Sequence, residues 1–355
     1  MSKFLNKCYS SLEAYVPGEQ PKDFEYIKLN TNESPFEPSP SVIKAVNSDE
    51  VKNLRLYSDP TASVLKEKIA KLYDVNSENV YLANGSDDIL NFSFMAFSGE
   101  DKQTVFPEIS YGFYKVFAKL YSLNAEMIPL KDDFSIDYRD YLNKNKFIVI
   151  ANPNAPTGLT LSTDEIEEIL KTNTESVVLI DEAYVDFGGE SVVSLTKKYD
   201  NLLVCQTFSK SRCMAGARLG FAIGNKELIS DLELIKYSTN PYNINRLTLV
   251  AGAAAIDEND YYMDKCKEII KNREYTVCEL EKLGFTLTDS KANFIFAQCD
   301  WIDGETLYKK LKEKRILVRH FSDRKIKNFN RITIGTIEQM KALISAVKEI
   351  KEEAK

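Results

Sequence analysis

Four short apolar segments of the chain are each followed at once by polar residues that could bind an anion or carry out acid–base chemistry. These polar sets are residues 84–87 (Asn-Gly-Ser-Asp), residues 152–158, residues 181–184 (Asp-Glu-Ala-Tyr), and the group Thr207, Ser209, Lys210 and Arg218. Taken singly, each set is typical of a helix cap, a turn or a surface charge. Because ligands of an open α/β sheet bind at the carboxyl ends of its strands, the four sets together predict one binding site.

The chemistry of this predicted site depends on a lysine, a carboxylate and a group of anion-binding residues. Helix N-terminal N–H groups, two hydroxyls and the Arg218 guanidinium would together hold an anion. Asp181 follows one apolar strand and Lys210 follows another. A lysine in confined, cationic surroundings has a lowered pKa and can act as an amine nucleophile. The residues alone therefore favour a lysine-based site beside an anion-binding pocket.

The segments that position these residues alternate between strand and helix patterns. Continuous apolar runs predict strands at residues 80–83, 104–106, 147–151, 177–180, 202–205 and 219–223. Helix periodicity covers residues 87–97 and 111–121, and a capping box at residues 162–165 predicts the start of another helix. Strands this apolar are normally covered on both faces. We therefore predict an α/β fold with a mainly parallel sheet covered by helices.

The pattern changes beyond residue 240 and predicts a smaller α+β domain. A long helix is predicted at residues 261–283, strands at 293–297, 316–318 and 331–334, and a final helix after the capping box at 336–339. We expect residues 36–240 to form the large domain. Residues 1–35 and 241–355 are expected to form the small domain, with an N-terminal arm.

Composition excludes several classes of protein. The 355 residues are 44% hydrophobic and 28% charged, which is typical of a globular protein of one large or two ordinary domains. The net charge of -7 argues against a nucleic-acid partner. His320 is the only histidine, which excludes HExxH metalloproteases and zinc sites with several histidines, so we expect no metal. The six cysteines include no C-x-x-C pair, and no apolar run suggests a signal peptide or membrane span. We expect a cytoplasmic protein with no membrane partner.

At the polar residues named above, the sequence resembles the pyridoxal-phosphate aminotransferases of fold type I. The pattern N-G-S-D…Y-G…N-x-P-T-G…D-E-A-Y…T-F-S-K…R-L-G runs from Asn84 to Gly220. Within that group the chain is most similar to the histidinol-phosphate aminotransferase family. The matching segments are residues 15–18 (Y-V-P-G), 29–35 (L-N-T-N-E-S-P), 57–60 (Y-S-D-P), 241–243 (P-Y-N) and 331–335 (R-I-T-I-G).

The resemblance implies a role for each of these residues toward pyridoxal 5'-phosphate. Lys210 would bind the cofactor covalently and carry the proton, Asp181 would pair with the ring nitrogen, and Tyr184 would hydrogen-bond the ring oxygen. The sequence leaves open whether Asn154 or a neighbour shares that last task, because Ala155 directly precedes Pro156. The remaining cofactor-binding residues implied are Gly85, Ser86, Asp87, Tyr111, Thr207, Ser209 and Arg218.

The resemblance also implies the substrate-binding residues and a partner subunit. The implied substrate-binding residues are Tyr15, Asn32, Arg319 and Arg331, of which Arg331 would clamp a carboxylate and Arg319 with Tyr15 would receive a phosphate. Tyr57 would reach the cofactor site of a second copy, so a homodimer is implied. The implied reaction is transamination between a phosphorylated amino compound, histidinol phosphate, and the pair 2-oxoglutarate and glutamate.

Three alternatives remain open from the sequence. A threonine-phosphate decarboxylase would use a similar scaffold and a phosphorylated substrate, although its expected His-Gly-Gly element is absent from the N-terminal region. An aromatic or broad-specificity aminotransferase would use Phe36, Tyr57 and Tyr242 as an apolar pocket. A non-catalytic cofactor-binding regulator would be expected to lose Lys210 or Asp181, and both are present.

Overall fold

The computed structural model describes residues 5, 9, 12–47, 49–100 and 102–354, so Cys8 lies outside the described residues. Thirteen strands occur within the described residues. In chain order they are β1 Ile27–Lys28, β2 Val80–Ala83, β3 Thr104–Pro107, β4 Ala125–Ile128, β5 Phe147–Ala151, β6 Val178–Asp181, β7 Leu202–Thr207, β8 Gly220–Gly224, β9 Phe285–Leu287, β10 Phe294–Cys299, β11 Ile316–Leu317, β12 Arg319–His320 and β13 Asn330–Thr333.

Ten α-helices occur in the same part of the chain. They are α1 Pro40–Val46, α2 Ser63–Tyr73, α3 Ser86–Phe97, α4 Phe113–Leu120, α5 Thr163–Thr172, α6 Lys226–Thr239, α7 Arg246–Asp257, α8 Asn259–Lys282, α9 Gly304–Glu313 and α10 Ile337–Glu353. Both predicted capping boxes are confirmed: Ser162 with Glu165 begins α5, and Thr336 with Gln339 begins α10. No helix among the described residues is long and apolar enough to cross a membrane.

Seven strands form the large sheet, in the order β2-β8-β7-β6-β5-β3-β4. All neighbouring pairs are parallel except those that involve β8, so the predicted mainly parallel sheet is confirmed. The sequence analysis did not predict β4, because this edge strand is short and half-exposed and contains a glutamate. The pairing places Ala151 opposite Asp181 and Asp181 opposite Cys205, so the carboxyl ends of β5, β6 and β7 lie side by side.

Helices cover both faces of this sheet. Alternate strand residues point to opposite faces, so Val178 and Ile180 pack into one core while Leu179 packs into the other. The first core also receives side chains from α2, α5 and α7, and the second receives them from α3, α4 and α6. Burying a large aliphatic side chain contributes roughly 1.5–3 kcal/mol, so the two cores fix the sheet edge that carries the polar residues.

A smaller antiparallel sheet, in the order β12-β13-β10-β9, forms the second unit, as predicted. It packs with α8, α9 and α10 in a separate core. The N-terminal segment joins this unit because β1 pairs in parallel with β11. Beyond β1, the Thr333 N–H donates to the Leu29 carbonyl, which carries residues 30–32 toward the large sheet.

Helix α7 packs with the large unit rather than with the small sheet. Its residues Ala251 and Ala255 belong to the core that contains Val42 of α1 and Leu65 of α2. The division of the chain at residue 240 stays a prediction, and this packing favours a boundary nearer the start of α8.

Candidate active site

A cavity at the carboxyl edge of the large sheet has two halves that meet at Lys210. The inner half encloses about 310 Å³ and the outer half about 390 Å³. Both halves are lined by Thr31, Tyr111, Ala155, Tyr184 and Lys210. The inner half adds Glu33, Ser86, Asp87, Asp181, Thr207, Ser209 and Arg218, and the outer half adds Tyr15, Asn32, Lys115, Arg319 and Arg331. The structure therefore brings most of the predicted site residues into one cavity.

Lys210 presents its amine at the junction of the two halves. Its Nζ donates to the Thr31 carbonyl at 3.3 Å and lies 5.8 Å from the centre of the Tyr184 ring. Burial lowers the pKa of Lys210 to about 8, and the nearby Arg331 charge acts in the same direction. Burial thus favours the neutral amine, which is the nucleophilic form.

Asp181 is the buried carboxylate of the inner half. It ends β6 with 4% of its surface exposed. The Tyr114 hydroxyl donates to Oδ2 at 2.8 Å, and the Ala183 N–H donates to Oδ1 at 3.1 Å. Burial raises the pKa of Asp181 to about 6, against the lowering effect of these hydrogen bonds. Sequence analysis missed Tyr114, although it lies one helical turn beyond Tyr111 in the same predicted helix.

The far end of the inner half is built to hold an anion. Gly85 precedes α3 with a φ of 86°, and no side chain caps the helix, so its first N–H groups remain available to an anion. Thr207 donates to Ser209 at 3.0 Å, and Arg218 approaches the same Ser209 hydroxyl at 3.4 Å. The positive φ of Gly85 favours glycine, and a Cβ there would also lie 2.7 Å from Arg218 Nη2 and displace the guanidinium.

Asp87 supplies a carboxylate at this anion-binding end. Its Oδ2 lies 3.2 Å from Arg218 Nη2, and its Oδ1 accepts the Tyr111 hydroxyl proton at 2.7 Å. Asp87 therefore orients both the guanidinium and the aromatic ring that faces the inner half.

Tyr184 is oriented from the small unit. Asn32 Nδ2 donates to the Tyr184 hydroxyl oxygen at 3.0 Å, which leaves the hydroxyl proton available to the cavity. Thr333 on β13 fixes Asn32, because its hydroxyl accepts from the Asn32 N–H and donates to Asn32 Oδ1, each at 3.0 Å. Thr333 and Asn32 are 301 positions apart in the chain. No local sequence pattern therefore shows that they orient the Tyr184 hydroxyl.

Asn154 does not line the cavity. Its side-chain amide donates to the Ile109 carbonyl at 3.0 Å, and its Oδ1 accepts from the Ser110 hydroxyl at 2.8 Å. Ala155 lines both halves instead. The physical reason is that the Asn154 amide forms its hydrogen bonds with the loop after β3. In this structure it therefore supports that loop and does not reach the cavity.

Two arginines face the outer half from neighbouring strands. Arg319 on β12 is paired directly opposite Arg331 on β13. Arg331 donates to the Asn30 carbonyl at 3.1 Å, and its buried Nε has no partner among the described residues. Like charges directly opposite each other destabilise a strand pair, so an anion between them would relieve the repulsion. Burial also lowers the pKa of Arg331.

The N-terminal segment covers the outer half. Arg319 donates to the carbonyls of Pro17 at 3.2 Å and Val16 at 3.1 Å. Tyr15 stacks on Phe113 with ring centres 4.4 Å apart. Tyr15 and Arg319 therefore line the same half of the cavity as Arg331.

Tyr57 lies outside this chain's own cavity. Its side chain is 77% exposed and stacks on Tyr242, with ring centres 4.5 Å apart. The contact of Tyr57 with the cofactor site of a second copy, which the resemblance implies, stays a prediction.

Comparison with known proteins decides the family. A family model described as aminotransferase class I and II matches residues 25–347. The chain belongs to the class I and II aminotransferases. It is 54% identical over 351 residues to the histidinol-phosphate aminotransferase of Brachyspira hyodysenteriae, with 99% of both chains covered. It is 48% identical to the enzyme of that name from Clostridium acetobutylicum, with 98% of this chain and 99% of the relative covered.

The aminotransferase fold is also evident from solved structures. The histidinol-phosphate aminotransferase of Sinorhizobium meliloti, in complex with pyridoxal-5'-phosphate, superposes with a TM-score of 0.90. The two sequences are 20% identical, and the match covers 100% of this chain and 99% of that one. This likeness confirms the predicted fold class for this aminotransferase.

Proposed function

We propose that this aminotransferase uses pyridoxal 5'-phosphate to transfer an amino group from histidinol phosphate to 2-oxoglutarate. The observation that carries the proposal is the cross-strand pair Arg319 and Arg331, which faces a cavity that also contains the Lys210 amine. Such a pair suits substrates that carry an anion close to the reacting amino group. The names of relatives at 48–54% identity support the same substrate.

The inner half fits the proposed cofactor. Its anion-binding end, with the uncapped start of α3, Ser209 and Arg218, would hold the phosphate. Asp181 has the charge and burial to pair with a protonated ring nitrogen, and Lys210 lies between the two halves. When bound, pyridoxal 5'-phosphate supplies an electron-accepting ring that stabilises negative charge at the substrate Cα.

The protein's own groups supply proton transfer and orientation. Lys210 can carry the proton in both directions because a pKa of about 8 keeps its neutral and charged forms close in free energy near neutral pH. The Tyr184 hydroxyl, fixed by Asn32, can donate to the ring oxygen. Tyr111, held by Asp87, places its ring beside the inner half.

The two proposed substrates require the same anion site to bind a phosphate in one half-reaction and a carboxylate in the other. Histidinol phosphate has a phosphate-bearing carbon where an amino acid has its carboxylate, whereas glutamate has the carboxylate itself. A guanidinium forms paired hydrogen bonds with either group, so Arg331 can bind both in turn. Arg319 and Tyr15 then accommodate the larger phosphate.

Replacement of Arg331 by lysine should weaken both half-reactions. The variant Arg331→Lys keeps the charge but loses the paired geometry, so kcat/KM should fall about 10–100-fold for histidinol phosphate and for glutamate. Single-turnover absorbance with each substrate measures the loss. Arg139→Lys is the matched control, because Arg139 is exposed and its ion pair is with Asp137. A loss confined to one substrate would contradict the shared anion site.

The substrate proposal is tested by a panel of half-reactions read from the absorbance of the bound cofactor. We expect rapid conversion with histidinol phosphate and glutamate, and slow conversion with phenylalanine. Carbon dioxide release from O-phosphothreonine would instead support the decarboxylase alternative. No spectral change with millimolar histidinol phosphate would refute the assignment.

We also propose a homodimer. Tyr57 is exposed together with other large apolar side chains, which a second copy would cover. These side chains are Val51, Leu54, Leu56, Val64 and Tyr242.

We propose the cytoplasm as the location of the protein. The five cysteines that the structure describes are free, which fits the reducing conditions there.

Mixed dimers provide a direct test of Tyr57. Tyr57→Ala and Lys210→Ala should each be nearly inactive alone. If Tyr57 completes the partner's site, unfolding and refolding an equal mixture should restore about a quarter of wild-type activity, because half the dimers then contain one intact site. A monomeric protein, or a mixture no more active than its components, would show that Tyr57 does not act across an interface.

A further inference from the structure

Tyr114 is the only side chain among the described residues that hydrogen-bonds the Asp181 carboxylate. We propose that Tyr114 is a positioning residue that holds Asp181 ionised and aimed at the ring nitrogen of the bound cofactor. This inference rests on the proposed function, since it assumes that Asp181 faces that nitrogen. Tyr114 is not among the site residues predicted from the sequence.

The geometry divides the two carboxylate oxygens between two donors. Tyr114 donates to Oδ2 at 2.8 Å, and the Ala183 N–H donates to Oδ1 at 3.1 Å. Each oxygen keeps a further lone pair for the cavity, which Asp181 lines. The carboxylate plane is therefore fixed from both sides while its free lone pairs face the inner half.

Tyr114 itself cannot turn away from Asp181. Its side chain is fully buried, and its ring packs 5.9 Å from Phe106, 5.7 Å from Tyr111 and 6.5 Å from Phe94, measured between ring centres. Asp181 is the only hydrogen-bond partner that the described residues offer to its hydroxyl. A buried hydroxyl that lost this bond would have no hydrogen-bond partner among the described residues, which costs free energy. Tyr114 and Asp181 therefore hold each other in place.

The Tyr114 hydroxyl is an important stabiliser of the ionised form of Asp181, because few charges near the carboxylate favour that form. No cation forms an ion pair with Asp181 among the described residues. The facing charges are Asp87, which disfavours ionisation, and Lys210, which favours it. Burial raises the pKa of the carboxyl, and the Tyr114 hydrogen bond lowers it. Removal of the hydroxyl should therefore move Asp181 toward its neutral form, which cannot hold a protonated ring nitrogen.

The experiment measures cofactor affinity rather than turnover. Apo-protein of wild type and Tyr114→Phe is titrated with pyridoxal 5'-phosphate and with the carbon analogue in which a C–H replaces the ring nitrogen. We expect wild type to prefer the natural cofactor. Tyr114→Phe should bind it about tenfold more weakly, with affinity for the analogue unchanged. The loss of affinity for the natural cofactor should be larger at pH 6.5 than at pH 8.5. A carboxyl whose pKa is raised further is protonated to a greater extent at the lower pH.

Tyr121→Phe is the matched control and should change neither affinity. Tyr121 directly follows α4, donates to Asn91 at 2.6 Å and lines neither half of the cavity. A misfolded fraction would lower the binding stoichiometry and leave the dissociation constant unchanged, so the comparison survives partial unfolding.

Each contrary result has a distinct meaning. Equal weakening of both ligands in Tyr114→Phe, independent of pH, would reduce Tyr114 to a packing role and overturn the inference. Unchanged affinity for the natural cofactor would overturn it as well. If wild type binds both ligands equally, the role of Asp181 in the proposed function fails, and the inference fails with it.

Discussion

Lys210→Ala should abolish transamination while the protein still folds and binds its cofactor. General acid–base catalysis by a positioned side chain is worth about 10²–10⁴-fold, and covalent attachment adds to this, so we expect turnover to fall at least about 10⁴-fold. The fold should survive because the Lys210 amine has no carboxylate ion pair among the described residues and burial disfavours its charge. Single-turnover kinetics and thermal denaturation measure the two effects.

Lys198→Ala is the control for Lys210→Ala. Lys198 is exposed and pairs with Glu167 on the outside of the large unit, so its loss should leave turnover at the wild-type rate. A small free amine in the buffer should partly restore Lys210→Ala, at a rate limited by its low effective concentration. Wild-type-like turnover of Lys210→Ala would be decisive against the proposed mechanism.

Asp181→Asn should lower kcat about 10²–10³-fold when it is measured at a saturating concentration of the cofactor. Asparagine has the same shape, and its one carbonyl oxygen can accept from Tyr114 or from the Ala183 N–H, but it carries no negative charge. A protonated ring nitrogen would then lie buried without a counter-charge, and breaking a buried pair in this way costs about 3–5 kcal/mol. Stopped-flow absorbance of the histidinol phosphate half-reaction separates the chemical step from binding.

Glu182→Gln provides a control at the neighbouring carboxylate. Glu182 is equally buried, and burial raises its pKa to about 7. It accepts from the Ser191 hydroxyl, the Val192 N–H and Gln206, all of which lie outside the cavity lining. We expect Glu182→Gln to lower the melting temperature and to leave kcat close to wild type. If the two variants lose the same activity, then Asp181 has no special function.

The sequence predicted the parts of the site that follow local rules. Apolar strands that end in Asp181 or Thr207 put their polar residues at one sheet edge, because parallel strands share a direction. The capping boxes at Ser162 and Thr336 were confirmed because both partners lie within four residues. The family resemblance added the roles of Arg319 and Arg331, which lie on two short strands of the small sheet.

The features that the sequence did not predict depend on contacts between distant segments. The Tyr114 hydroxyl reaches Asp181 from another element, and Thr333 fixes Asn32 across the two units. Asn154 is bound by the loop after β3, which its place in the N-x-P-T-G pattern does not reveal. The packing of α7 on α1 and α2 likewise depends on tertiary contacts rather than on the pattern along the chain.

Lys210 is the residue that we propose binds the cofactor covalently. Borohydride reduction of the cofactor-loaded protein, followed by proteolysis and peptide mass analysis, tests it most directly. We expect one phosphopyridoxyl adduct per chain, on the Lys210 side chain, and none in Lys210→Ala. An adduct on any other lysine, or no adduct in a protein that transaminates, would contradict this role of Lys210.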